Sequence, residues 1–575
     1  NKKDKKWIEL CLEICRDTSN CIASNGETAL HSMLDIPVYT DDDIKALLAC
    51  TKAETVIVKD NNGVPAFFKA FTQAKNVLNN RSKLILEANP SVLLIPSRNH
   101  RNMLLLDWAM KQNNVKLVEV FCRVCPKIAT VSDRLLNLPI HNACERKSTP
   151  LEIIRAIFRA YPGCLSTKDK DGNTPLHSAV ETLSGNTVEQ VVNMFLDEST
   201  KCATIQDKDG NMALHSACEC RKPSSKVILR LIKANPKALE KRDKEGNLPL
   251  HSALELGDVI EPDVIKVMID TYPGAVKMKD KEKNTPLHSA VENLRKFAST
   301  VVDMLIKADP DNYAVKQRDK EGNLAIHSAC EHPRPTNDVI LRLIEHYPDG
   351  LKQKDKDGNL AIHSACENNA PNDKVILKMM ELYPGSLKTK DKDGNLAIHS
   401  LSENTKQMEN RDKIILTMID LYPDSLRRKD KDGNTPLHSF IENPSQINNR
   451  DKVIGVMVKE YEGALAEKDS DKNLPIHSAL AQGKKISIEG IKALLVNRGT
   501  LTVKNARGNI PFHQAFNMAG KKLDDKAKAI LNANPSVLLM KKSECFGRSS
   551  YFLNFAINKK DKKWIELCLE ICRDT

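Results

Sequence analysis

Twelve of the fifteen histidines in this chain stand at one position of a short motif that returns every 34 to 41 residues. One of its fullest forms reads Gly172-Asn173-Thr174-Pro175-Leu176-His177-Ser178-Ala179. The other copies centre on His31, His141, His215, His251, His288, His327, His363, His399, His438, His477 and His513. Three more have lost the histidine but keep the surrounding pattern, at Phe68, Asp107 and Asn554. A period of this length is the signature of a solenoid, whose units bury their apolar faces only by stacking on one another.

A second periodicity is much longer. Residues Asn1 to Thr18 return letter for letter as Asn558 to Thr575, an offset of 557 residues. The short repeats differ at many positions, so their common ancestry does not account for 18 identities in a row. The motif intervals, continued to where His31 would recur, also sum to 557, giving fifteen short repeats per long one. The expected organisation is therefore a continuous solenoid over 1–557, one long cassette, with 558–575 opening the next identical cassette. An overlap without biological meaning is the plain alternative.

The 575 residues carry 87 basic and 75 acidic side chains, finely interspersed, for a net charge of +12. Nucleic-acid binding calls for a dense basic stripe with stacking aromatics, and neither is visible, so no nucleic-acid partner is expected. No run of about 20 apolar residues exists, which argues against membrane insertion. The sixteen cysteines do not recur at fixed repeat positions. Several, such as Cys218, Cys330 and Cys366, follow the motif on a helix, where thiols pack as small hydrophobes. This usage favours a reducing intracellular setting, without excluding an extracellular fibre.

One repeat displays the local logic. Lys354-Asp355-Lys356-Asp357-Gly358-Asn359 is a polar turn, with Gly358 supplying left-handed backbone angles. A short helix follows from near Ala361, with Ile362, Ala365 and Cys366 on one apolar face. Where the motif has Thr-Pro, as at Thr174-Pro175, threonine takes the helix cap and proline the first helical position. After a polar loop, Val375, Ile376, Met379, Met380 and Tyr383 mark a second helix with one apolar stripe, stopped by Pro384-Gly385. Two turns carry lysine in place of glycine, Lys283 and Lys472, and a changed turn is expected at both, since left-handed angles cost a side-chain-bearing residue about 1 kcal/mol or more.

The run from Asp171 to His177, with near-copies at Asp432 to His438 and Gly246 to His251, resembles the ankyrin repeat. The resemblance covers essentially the whole chain. It implies an all-α, superhelical α-solenoid of stacked helix-turn-helix repeats with projecting hairpin-like loops, protein–protein contact rather than catalysis, and a structural role for the motif histidines. The repeats here are longer than the family's usual 33 residues, and Leu324, Leu360 and Leu396 replace the capping threonine.

Other candidate sites have plainer readings. His100, His332 and His346 form no cluster with metal-ligand spacing. The Asp169-Lys170-Asp171-Gly172 turn lacks the bidentate glutamate of a calcium loop. Cys122 and Cys125 have no partner pair at zinc spacing. No cofactor, metal or catalytic residue is expected, and the chain reads as a non-enzyme. Two functions remain: a tandem-cassette protein that builds a fibre by contact with itself, and a scaffold that docks other proteins. The fibre reading rests on the junction. Trp564, Ile565, Cys568 and Ile571 define a helix face there, as Trp7, Ile8, Cys11 and Ile14 do in the first copy.

Overall fold

The computed structural model describes residues 22–24, 26–97, 100, 103–332, 336–367, 373–405, 408, 410–443, 449–520, 523–540, 557 and 562–573. They are helical throughout, with only isolated bridges at the feet of turns, Lys59 with Pro65, Ser97 with Met103 and Gln206 with Met212. Contacts divide the chain into two compact units, Asn1–Ala275 and Val276–Thr575. Each unit contains seven complete helix pairs among the described residues.

Every pair follows from the motif. In the repeat of His363 the first helix is Ala361–Glu367 and the second is Asp373–Leu382. Ile362, Ala365 and Cys366 are buried on one and Val375, Ile376, Met379 and Met380 on the other. Helices this short are unstable alone; burying each large aliphatic side chain contributes about 1.5–3 kcal/mol and requires a stacked neighbour. Within each unit, first helices pack on first helices and second on second, as Ala361–Glu367 does on Ala325–Glu331 and Ala397–Glu403. The second helix ends at Tyr383, and Pro384–Lys388 adds a single turn of 3-10 helix that buries Leu387. That extra turn was not legible in the sequence, where the segment reads as a simple return loop.

Two histidine-free repeats keep their pairs, Ala66–Gln73 with Asn80–Ala88 and Leu105–Lys111 with Val115–Val124. Phe67, Phe68 and Leu106 are buried, and Trp108 meets Phe71 edge-on at 6.0 Å. The third motif copy, around Asn554, lies outside the described residues; the helix Lys562–Arg573 follows it. Trp7, Ile8, Cys11 and Ile14 also lie outside the described residues, as do the side chains of Cys568 and Ile571.

The expectation of changed turns at Lys283 and Lys472 is wrong. Both lysines are left-handed, with φ of 64° and 59°, and Leu136 occupies a third such position at 61°. The reason lies in the aspartate that opens each turn. Asp280 Oδ1 accepts the Asn284 N–H at 2.8 Å, the Asp280 N–H donates to the Asn284 carbonyl at 3.0 Å, and the Lys283 N–H donates to the Asp280 carbonyl at 3.2 Å. Asp469 makes the same three bonds with Asn473 and Lys472. Each bond contributes about 0.5–1.5 kcal/mol, which together outweigh a left-handed penalty of about 1–2 kcal/mol. At Gly172 the requirement is stricter, because a Cβ there would stand 2.6 Å from the Lys208 backbone nitrogen.

Candidate functional site

The motif histidines form a seam through each unit. Every one of the twelve is fully buried. In the His177 repeat, Thr174 is the helix cap and Pro175 the first helical residue. The threonine's N–H and hydroxyl both reach His177 Nδ1, at 3.3 and 2.8 Å, while its carbonyl accepts the Ser178 N–H at 3.2 Å. Because Nδ1 accepts, the ring proton resides on Nε2, which donates to the Asn211 carbonyl of the next repeat at 3.2 Å. The same pair of bonds recurs at His31, His141, His215, His288, His327, His363, His399, His438 and His477, ending on a carbonyl 26 to 35 residues ahead. Where leucine replaces threonine, as at Leu360, the backbone N–H alone bonds the ring, at 3.1 Å. His251 accepts the Leu248 N–H at 3.2 Å, and His513 packs beside Phe512.

Burial lowers the pKa of His141, His177, His215, His327 and His363, and brings His288, His399, His438 and His477 down to about 4. A protonated ring would turn Nδ1 from acceptor to donor and oppose the cap N–H. The hydrogen-bonded seam is therefore built of neutral imidazoles. His100 instead contacts Ser97 Oγ at 2.8 Å and Trp108 edge-on. Among the described residues, no group of histidine, cysteine and carboxylate side chains is arranged to hold a metal ion. Cys122 and Cys125 are buried free thiols, Cys122 pushed up to about 12 by desolvation.

A second ladder was missed in the sequence. After several of the histidines the next residue, a serine, donates to the glutamate ending the preceding first helix: Ser252 to Glu219 at 2.8 Å, Ser364 to Glu331 at 3.3 Å, Ser400 to Glu367 at 2.8 Å, Ser439 to Glu403 at 2.7 Å and Ser478 to Glu442 at 2.6 Å. The available signal was a glutamate four residues after the histidine, as in His363-Ser364-Ala365-Cys366-Glu367. These carboxyls are partly buried, and desolvation first, then turn aspartates, raise their pKa values, Glu331 to about 7. They line clefts between turns and first helices. One of about 450 Å³ is bounded by Asp393, Glu403, Asp430, Asp432, Ser439 and Glu442.

The turn tips form a third ladder. The Lys392 N–H donates to the Asp357 carbonyl at 2.8 Å while its ammonium meets the Asp357 carboxylate at 3.0 Å, and Lys431 repeats both contacts on Asp393 at 3.0 and 2.7 Å. The alternating Lys/Asp turns thus pair between repeats, although each exposed ion pair is worth only about 0.2–1 kcal/mol.

Turn, short helix, longer helix and inter-repeat seam together decide the architecture. Each unit is an ankyrin-like α-solenoid. No family model matches the chain, and neither does any curated protein. Among solved structures it is similar to the ankyrin repeat domain of Bcl-3, a member of the IkappaB protein family, at 18% identity and a TM-score of 0.32. That likeness covers 44% of this chain and 99% of the other. No helix among the described residues is long and apolar enough to cross a membrane.

Proposed function

We propose that this chain is a non-enzymatic structural protein whose 557-residue cassettes join head to tail, in one chain or end to end, into a superhelical fibre. The observation that carries the reading is the letter-for-letter return of Asn1–Thr18 at Asn558–Thr575. An adaptor needs varied surface and gains little from a copied block, whereas a fibre gains length and regularity from each copy. The seam supports the same reading: ten of the buried imidazoles tie one repeat to the next, so stability accrues with repeat number.

Electron microscopy of the native protein tests this directly. Elongated particles longer than one cassette, with a regular repeat, are expected. Particles of single-cassette length, closed by polar capping repeats at both ends, would return the chain to the scaffold reading.

The carboxylate-lined cleft favours that second reading, a scaffold for other proteins, with a Lys/Arg-rich segment as the partner whose charge matches Glu403, Asp430 and Glu442. Salt-sensitive binding of such a peptide, lost on Glu→Gln substitution along the row, is its signature.

A further inference from the structure

The helix Lys562–Arg573 has a defined seat. Trp564 meets Phe516 edge-on, with ring centroids 5.6 Å apart and planes at 75°. The helix also packs on the 3-10 turn Pro535–Leu539, whose Val537 and Leu538 are buried. Phe516 belongs to the first helix of the His513 repeat, Pro511–Met518, and stacks on Phe512 at 6.2 Å. The described part of the seat belongs to the His513 repeat.

The occupant of this seat has an identical twin in the same chain. Asn1–Thr18 repeats every residue of Asn558–Thr575, Trp7 standing for Trp564 and Ile8 for Ile565. Two identical segments have identical intrinsic affinity for one surface, so the resident segment holds the seat only through its tether, which raises its effective concentration. Weakening the resident gives the advantage to the twin from another molecule.

We propose that the Phe516 and Pro535–Leu539 seat is a recognition site for a second copy of this chain, which enters it with its Asn1–Thr18 segment in place of the resident Asn558–Thr575. The contact joins two unlike segments, the seat of one copy and Asn1–Thr18 of the next. It is heterologous, and it propagates rather than closing at a dimer. This exchange rests on the tandem-cassette reading and gives it a specific joint.

Sedimentation of the full chain over a range of concentrations tests the joint with three variants, W564A, W7A and the double variant W7A/W564A. Trp564→Ala cripples the resident and leaves the twin intact, so the weight-average mass rises at least about twofold with concentration as copies link head to tail. W7A sediments as the parent does, and the double variant returns to the parent's mass. Far-UV circular dichroism matching the parent confirms that the repeats remain folded. W564A chains that keep the parent's mass at every concentration overturn the proposal, as do oligomers that persist in W7A/W564A. The joint and the fibre reading fail separately. Long native particles with a monomeric W564A chain retain the fibre and reject the exchange, whereas single-cassette native particles with an oligomerising W564A chain do the reverse.

Discussion

His363 Nε2 donates to the carbonyl of Thr389, 26 residues ahead and 3.1 Å away, while its Nδ1 accepts the N–H of Leu360 in its own repeat. One ring thus closes a helix cap and fastens the next repeat. Removing it strands two buried backbone groups, each costing about 1–3 kcal/mol. His363→Ala is expected to lower stability by about 2–5 kcal/mol. The loss should be local, because solenoid stability is a sum of repeat and nearest-neighbour terms. Hydrogen exchange is the check: amides of the His363 repeat and the one after it lose protection, and distant repeats do not.

The seam also makes stability depend on pH. Burial holds His288, His399, His438 and His477 near a pKa of about 4 when folded, while the unfolded chain takes up those protons near 6.5. The unfolded state binds more protons between those values, so the histidine contribution is complete above pH 6.5 and is lost as pH falls toward 4. Urea midpoints measured from pH 7.5 down to 4.5 should fall, and His399→Gln should flatten the fall.

Glu331 acts in the opposite sense. Its carboxyl is raised from the usual range to about 7 by burial and the nearby Asp355. The folded state binds that proton more tightly than the unfolded state, so its contribution is greatest below about 4.5 and is lost as pH rises through 7. Glu331→Gln keeps an acceptor for the Ser364 hydroxyl and removes the charge. The variant should be more stable than the parent at pH 8, by about 1 kcal/mol, with the difference shrinking at pH 5.

Lys283 and Lys472 pay for left-handed backbone that glycine adopts freely. Lys283→Gly and Lys472→Gly should each stabilise the fold, by about 0.5–1 kcal/mol once the added freedom of the unfolded chain is counted. Thermal denaturation of both single variants measures it, and an unchanged or lowered midpoint would show that the turn is not strained.

Asp107 fills the histidine position of its repeat, and its Oδ1 is buried with no hydrogen-bond partner. Burial, with Asp133 nearby, raises its pKa to about 6. Asp107→His restores the residue that elsewhere bonds the cap N–H and the next repeat, and should raise stability at pH 7 by about 1 kcal/mol or more. Asp107→Asn should remove the pH dependence of this site without adding the seam bond.

The sequence by itself determined the repeat. The Asp-x-x-Gly-Asn turn, the proline at the first helical position and the apolar spacing of both helices act within a few residues of one another, so their chemistry is readable from the order of the residues. The histidines were legible as structural because they recur in phase. What joins one repeat to the next was decided only by the tertiary structure. The Nε2 bonds, the Ser364–Glu331 type of contact and the lysine-to-carbonyl links span tens of residues, and they exist because stacking brings equivalent positions of successive repeats together. The left-handed Lys283 is a local case instead: its own preference disfavours that angle, and the hydrogen bonds closed around Asp280 within five residues impose it.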